Sequence, residues 1–151
     1  MSTIIPRRTL LAGAAASSAL PLVGARAQAP FGVGFVYVGP IGDHGYTWTH
    51  GQGPLALEKE YGNKIKTSFI ENVAEGPDAV RAIRQLAQAG DQLIFTTSFG
   101  FMNPTIQVAK QFPKIKFEHA TGYMRAENVA TYDARFYEGR AVIGTIAGHM
   151  S

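Results

Sequence analysis

Cysteine is absent from the 151 residues of the chain, and this absence narrows the chemistry that the chain can perform. Disulfide bonds, thiolate metal sites and a cysteine nucleophile are excluded, and so is a lipid attached to an N-terminal cysteine. Tryptophan occurs only once, at position 48. Charged residues make up 17% of the chain and apolar residues 46%, a globular composition at a length suited to one domain.

Acidic residues are also missing from the beginning of the chain. All eleven Asp and Glu residues lie beyond residue 40, whereas three of the fourteen basic residues are Arg7, Arg8 and Arg26. The other eleven basic residues balance the acidic ones, so the remainder is neutral although the whole chain carries a net charge of +3. A neutral domain without a basic patch does not indicate a nucleic-acid partner.

Residues 1–27 are predicted to be an export signal that is cleaved after Ala27. Arg7 and Arg8 precede an Ala-rich apolar run, and Ala25-Arg26-Ala27 has the small-x-small pattern of a cleavage site. The arginine pair resembles a twin-arginine signal, which implies export of a folded protein to the periplasm. The alternative is a membrane anchor, but the run is short for a span of roughly 20 residues.

The pattern of residues 28–151 predicts an α/β fold with a parallel, doubly wound sheet and a flavodoxin-like strand order of 2-1-3-4-5. Apolar or alternating runs predict five strands, at 31–38, 65–71, 92–97, 114–119 and 129–133. Helical patterns cover 47–61, 77–89, the segment from Asn103 to before Pro113, and 136–150. Leu55, Leu57, Glu58 and Tyr61 are the expected inner face of the first helix, and Val80, Ile83, Leu86 and Ala87 that of the second.

Two loops are the predicted binding site. In the order 2-1-3-4-5 the strand order reverses between strands 1 and 3, and ligands bind at the carboxyl ends of the strands at such a switch point. The loops that meet at this switch point are 39–48 and 98–102, which are also the richest in glycine and aromatic residues. Glycine allows the backbone to approach a ligand closely, and aromatic rings offer flat faces.

Phosphate, metal and hydrolytic chemistry are disfavoured by the spacing of the candidate residues. The glycines at 39, 42 and 45 match neither G-x-G-x-x-G nor a Walker sequence. The four histidines form no i, i+4 pair, and only His44 beside Asp43 is suggestive of a metal ligand. Asp43 and His44 could be an acid and base, but Ser98 is not in a G-x-S-x-G elbow. We therefore expect neither cofactor nor metal.

The remaining class of function is the binding of a small molecule without catalysis. Tyr46, Trp48, Phe99 and Phe101 could sandwich a flat ring, and Asp43 could accept hydrogen bonds from its N–H groups. Each assignment has an alternative that stays open: the aromatic side chains could pack in the core, and Asp43 could cap the helix that begins near Tyr46.

The sequence also resembles a known family. The segments 35–51, 70–76, 93–102, 117–123 and 128–140, among them Gly39-Pro-Ile-Gly-Asp-His-Gly45 and Leu93-Ile-Phe-Thr-Thr-Ser-Phe-Gly100, are similar to the BMP (basic membrane protein, PnrA-like) substrate-binding proteins of ABC transporters. The resemblance spans nearly all of residues 31–151.

The resemblance implies a periplasmic receptor that encloses a purine base or nucleoside between two α/β lobes and then docks on a membrane permease, without catalysis. Members are about twice as long as this chain, so it implies the N-terminal lobe of a type I periplasmic binding protein, with most of the second lobe missing and a monomer when complete. The ligand contacts that the resemblance implies are Asp43, Tyr46, Ser98, Phe99 and Gly100. Further candidates in the same two loops, chosen by residue type, are His44, Trp48 and Phe101. Many members have Phe-Asn where this chain has Tyr46-Thr47, which favours a free base.

Two other functions stay open at this point. The same fold could serve a ligand-sensing module that reports to a signalling partner, which a neighbouring kinase gene would favour over permease genes. A small periplasmic hydrolase using Asp43 and His44 is the remaining alternative.

Overall fold

The computed structural model describes residues 29–151, so the predicted leader lies outside the described residues. Five strands form one sheet: β1 (Phe31–Val36), β2 (Ile65–Ile70), β3 (Leu93–Thr96), β4 (Lys116–Ala120) and β5 (Val129–Tyr132). Their order is β2-β1-β3-β4-β5, and every neighbouring pair is parallel. The predicted fold class and strand order are therefore confirmed.

Four helices follow the strands: α1 (Tyr46–Tyr61), α2 (Pro77–Ala89), α3 (Met102–Ala109) and α4 (Phe136–Met150). On one face of the sheet, α2 and α3 cover Val36, Ile94 and Phe117, which form the larger buried core. On the other face, α1 lies over the smaller cluster around Val33 and Phe35. Because β1 is central and covered on both faces, its sequence is apolar throughout rather than alternating.

Local signals fix the ends of α2. Pro77 occupies its first turn, where the missing N–H costs no hydrogen bond. Gly90 ends it in the left-handed conformation, with φ of 100°, and its N–H bonds the carbonyls of Leu86 and Ala87. The buried side includes Ile83, Leu86 and Ala87 as predicted, with Ala79 and Ala82 in addition.

The predicted inner face of α1 is largely wrong: of its four residues only Leu57, which is partly buried, packs against the core. The buried residues are Thr47, Gly51 and Pro54, whereas Leu55 and Tyr61 are more than half exposed. Gly51 is buried because α1 approaches Ile41 closely, and Pro54 is accommodated inside the helix. The weak apolar periodicity of this segment did not reveal its orientation, since small residues rather than large ones face the sheet.

The sheet face beside α1 carries a row of aromatic side chains. Phe35 stacks on Phe95 with ring centroids 5.0 Å apart, and Phe95 meets the edge of Tyr132 at 6.0 Å.

The final helix, α4, has no buried residue, and its apolar side chains Val142, Ile143 and Ile146 are exposed. Within residues 29–151, no helix has both the length and the apolar character needed to cross a membrane.

Candidate ligand site at the carboxyl edge of the sheet

The switch point between β1 and β3 is closed by a direct hydrogen bond between the two predicted loops. The Tyr46 hydroxyl, in the first turn of α1, donates to the carbonyl oxygen of Thr97 at 2.5 Å. Thr97 is itself held to β1, because its backbone N–H and its hydroxyl both donate to the Val36 carbonyl, at 3.2 and 3.0 Å. The strand order therefore brings together two loops that are fifty residues apart in sequence.

Burial and charge set the ionisation of Tyr46 and its neighbour His50. Partial burial raises the pKa of Tyr46, and the nearby Asp133 carboxylate adds to the rise. Burial lowers the pKa of His50, whose ring meets the Tyr46 ring edge-on at 4.6 Å. At neutral pH this pair is therefore an uncharged aromatic surface.

Asp43 supports its own loop. Its Oδ1 accepts hydrogen bonds from the backbone N–H groups of Gly45, at 2.8 Å, and Trp48, at 3.4 Å. These donors belong to the start of α1, so the helix-capping alternative describes what Asp43 does in this lobe. The carboxylate remains exposed, and His44 beside it adopts a left-handed conformation with φ of 53°.

Trp48 lies on a different side of α1 from Tyr46. Two residues along an α-helix turn through about 200°, so the two rings cannot share a face. Trp48 lines a hollow of about 390 Å³ towards β2, together with Tyr37 and Phe69. The structure therefore does not bring Trp48 to the switch point.

Phe99 and Phe101 also separate. Phe101 is fully buried in the core formed with α2 and α3, which is the alternative that the sequence left open for it. Phe99 is 56% exposed, and its ring lies 6.4 Å from that of Tyr123, which is 75% exposed. Tyr123 follows β4, so two exposed rings from adjacent loops flank the same edge of the sheet.

Ser98 and Gly100 are held by a residue that the sequence analysis did not select. Glu75, in the loop after β2, accepts a hydrogen bond from the Ser98 hydroxyl at 2.6 Å and another from the Gly100 N–H at 3.2 Å. A second carboxylate of the same loop, Glu71, accepts from the N–H of Ile41 at 2.9 Å. The loop after β2 is therefore bonded to both predicted binding loops.

Carboxylates outnumber cations at this edge. Asp43, Glu71, Glu75 and Asp133 all lie in loops that follow strands, and the nearby Arg135 pairs with Glu138 of its own helix at 3.2 Å. Such an edge suits a neutral ligand rich in N–H donors and disfavours a phosphate. Among residues 29–151, no group of three His, Asp or Glu side chains is arranged to hold a metal ion.

The sequence analysis missed Glu75, Tyr123, Asp133 and His50. The first three each lie within three residues of a helix start or a strand end on the carboxyl side, so their position relative to the strands was a usable signal. His50 lies four residues after Tyr46 in α1, so the helical spacing, which puts the two rings on one face, was also a usable signal.

The parallel sheet in the order β2-β1-β3-β4-β5, with helices on both faces, defines a flavodoxin-like, doubly wound α/β lobe. Solved structures agree on the fold. An ABC transporter solute-binding protein from Aeropyrum pernix K1 matches 76% of this chain and 31% of its own, with a TM-score of 0.62 and 23% identity. One from Conexibacter woesei matches 68% of this chain and 35% of its own, with a TM-score of 0.59 and 19% identity.

The chain belongs to the Bmp family of PnrA-like ABC transporter substrate-binding proteins, whose model matches residues 32–151. A relative from Brucella abortus (strain 2308), named a purine-binding protein, is 57% identical over 127 residues, which are 84% of this chain and 36% of that protein. A relative from Haloferax volcanii, named provisionally as an ABC transporter glucose-binding protein, is 40% identical over 78% of this chain and 29% of its own. The chain thus spans about a third of the length of these relatives.

Proposed function

We propose that the chain is the N-terminal lobe of the substrate-binding component of an ABC importer, and that it contributes one wall of a site for a purine base or nucleoside. The family match and the purine-binding name of the Brucella relative support the ligand class. The observation that carries the proposal is the exposed pair of rings, Phe99 and Tyr123, beside loops that present carboxylates. Aromatic rings stack on a flat heterocycle, and carboxylates accept its N–H groups.

The surrounding roles follow from the family. Proteins of this class are exported, bind small molecules and dock on a membrane permease. We propose that residues 1–27 direct export by the twin-arginine route, that the complete receptor is a periplasmic monomer, and that it performs no catalysis. The positive start of the chain, with Arg7 and Arg8 before an apolar run, supports the export step.

A sugar is the second candidate ligand, because the Haloferax relative is named for glucose. Exposed aromatic rings can also stack on a sugar, so Phe99 and Tyr123 do not separate the two classes. Carboxylates accept the hydroxyl groups of glucose as well as the N–H groups of a purine, so the acidic edge does not separate them either. The purine is preferred because the relative named for purine is 57% identical to the chain, against 40% for the one named for glucose.

Isothermal titration calorimetry tests the proposal, using the protein expressed with any sequence that follows Ser151 in its gene. The ligands are adenine, guanine, adenosine, guanosine, adenosine monophosphate and glucose. We expect heat with at least one base or nucleoside and about tenfold weaker binding of the monophosphate, because its charge meets the carboxylates. Binding of glucose alone, or of none of the purines, would overturn the ligand class.

A further inference from the structure

Glu75 occupies a fixed position between two elements of the site. The loop that carries it is anchored below by Val73, which is buried and whose N–H donates to the Tyr37 carbonyl at 3.0 Å. Gly76 follows with φ of 89°, a conformation that glycine adopts without strain, and α2 starts immediately afterwards. The carbonyl of Gly76 also accepts the N–H of Val80 at 3.3 Å, so hydrogen bonds hold the backbone on both sides of Glu75.

The carboxylate of Glu75 occupies the space that a side chain at position 100 would need. A Cβ atom added to Gly100 would lie 2.0 Å from Cδ of Glu75 and 2.2 and 2.3 Å from its two oxygens. Gly100 does not have a positive φ, so conformation does not require glycine here. A side chain at this position would displace the flexible end of Glu75 and break its bonds to Ser98 and Gly100. The same close approach lets Oε1 of Glu75 accept both the Ser98 hydroxyl and the Gly100 N–H.

We propose that Glu75 is the positioning residue of the site: it holds the loop of Ser98, Phe99 and Gly100 in its binding conformation. Phe99 stands between the two bonded residues, so the contacts to Ser98 and Gly100 fix the stretch of backbone that presents its exposed ring. This role rests on the proposed function only in its consequence for ligand binding.

The bonds to Glu75 also decide what the loop can offer a ligand. The hydroxyl hydrogen of Ser98 and the N–H of Gly100 are both committed to Glu75, and the carbonyl of Thr97 already accepts from Tyr46. What Ser98 retains is acceptor capacity, because its hydroxyl oxygen has lone pairs. The loop therefore selects a ligand that donates hydrogen bonds at this point, such as a ring or exocyclic N–H.

The first test needs no ligand. Hydrogen exchange of the Gly100 amide is measured in Glu75→Ala, in Glu75→Gln and in Glu127→Ala, a matched control at an exposed glutamate of the β4–β5 connection. We expect about tenfold faster exchange in Glu75→Ala, the factor that corresponds to 1.4 kcal/mol. Glutamine keeps an acceptor oxygen and should restore most of the protection. Unchanged exchange in Glu75→Ala would overturn the proposal.

A double-mutant cycle checks the contact itself. Gly100→Ala should lower the unfolding midpoint in the native background, because the new methyl group collides with the carboxylate. In the Glu75→Ala background the same change should have little effect, since the colliding atoms are gone. Equal effects of Gly100→Ala in the two backgrounds would contradict the direct contact, even if Glu75→Ala folds poorly.

A binding measurement distinguishes the positioning role of Glu75 from the proposed function. In the protein with any sequence beyond Ser151, Glu75→Ala should weaken the binding of the best purine ligand by about tenfold, with Glu75→Gln close to the parent. If no purine binds the parent, the proposed function fails while the exchange and cycle results still decide the role of Glu75. If purine binds Glu75→Ala as tightly as the parent, the positioning role fails and the proposed function stands.

Discussion

The hydroxyl of Tyr46 donates to the carbonyl oxygen of Thr97 at 2.5 Å and thereby joins the first turn of α1 to the end of β3. This bond also explains why Tyr46 is only partly available as a stacking surface: its hydroxyl end is held against the sheet, and 39% of the residue is exposed. In this lobe Tyr46 links the start of α1 to the end of β3, and its ring remains partly exposed.

Replacing Tyr46 with phenylalanine isolates that bond. Tyr46→Phe keeps the ring but removes the donor, so we expect a loss of about 1 kcal/mol in the free energy of unfolding. Urea denaturation at pH 7 measures it, with Tyr61→Phe, at an exposed tyrosine, as the control. Equal stability of Tyr46→Phe and the parent would show that the Thr97 carbonyl is satisfied as well by water.

The same variant should change the stability at alkaline pH. Burial, together with Asp133, raises the pKa of Tyr46 above its usual 10, so the unfolded chain loses this proton at a lower pH than the folded one. Stability from Tyr46 is therefore complete below pH 10 and declines as the pH rises above it. We expect a shallower decline in Tyr46→Phe between about pH 9.5 and 11. Parallel curves for the two proteins would contradict the raised pKa.

His119 should make the fold sensitive to acid. The Thr105 hydroxyl donates to the Phe101 carbonyl, so it accepts from the Thr96 hydroxyl, with 2.9 Å between the two oxygens. The Thr96 hydroxyl in turn accepts from Nδ1–H of His119, also at 2.9 Å. The second ring nitrogen is buried without a partner among the described residues, so protonation there is unfavourable, and burial lowers the pKa of His119 below 6.5.

The consequence for stability has a definite sign. Below pH 6.5 the unfolded chain binds a proton that the folded chain does not, so the free energy of unfolding falls as the pH is lowered through this range. Denaturation at pH 7.5 and pH 5.0 measures the difference in the parent, in His119→Gln and in the exposed control His149→Gln. We expect the difference in the free energy of unfolding between the two pH values to be smaller in His119→Gln but unchanged in His149→Gln. The difference that remains in His119→Gln comes from His50, whose pKa is also lowered.

Asn128 should be the most sensitive polar position outside the site. The side-chain nitrogen of this buried residue lies 3.0 to 3.1 Å from the carbonyl oxygens of Ala109, Phe112 and Ile115, so one of its two hydrogens is shared between two acceptors. Asn128→Ala should cost about 2 kcal/mol, because each carbonyl loses a donor, although those of Ala109 and Phe112 keep a backbone N–H. Asn128→Asp should cost more, since a carboxylate faces three acceptors.

Chemical denaturation checks the ranking at Asn128. Asn63→Asp is the matched control, because Asn63 is exposed near the end of α1 and should tolerate the change. An aspartate variant at position 128 as stable as the alanine variant would mean that the three carbonyls do not surround the side chain as described.

Ligand binding should distinguish the two aromatic residues that the sequence placed in one site. Phe99→Ala should weaken purine binding by about three- to tenfold, the value of one aromatic contact. Trp48→Phe should leave it unchanged, because Trp48 lines the hollow near β2. Calorimetry on the protein with any sequence beyond Ser151 measures both, and a large loss in Trp48→Phe alone would reverse the assignment.

Most of the fold could be predicted from the sequence because its signals are local. Pro77 and Gly90 mark the ends of α2, and the alternation of strands and helices restricts the topology to a doubly wound sheet. Strand ends were less well predicted: β1 ends at Val36 rather than Val38, and α3 begins at Met102 after a short turn of 3-10 helix. Tyr37 is fully buried and continues the apolar run beyond the end of β1, so apolar character does not mark where the strand ends.

The site was only partly predictable, for a reason that concerns distance along the chain. The strand order alone places the loops after β1 and β3 together, and the sequence sufficed for that. The partnership of Glu75 with Ser98 spans 23 residues and depends on how two loops are tilted, which no local pattern records.

The sequence by itself determined the class of fold and the two loops that meet at the carboxyl edge of the sheet between β1 and β3. Tertiary structure decided which side chains of those loops face that edge. Tyr46 and Trp48 differ by two positions, yet the rotation of α1 sends one to β3 and the other towards β2. Phe99 and Phe101 separate in the same way, because a single turn of helix directs alternate residues to solvent and to the core.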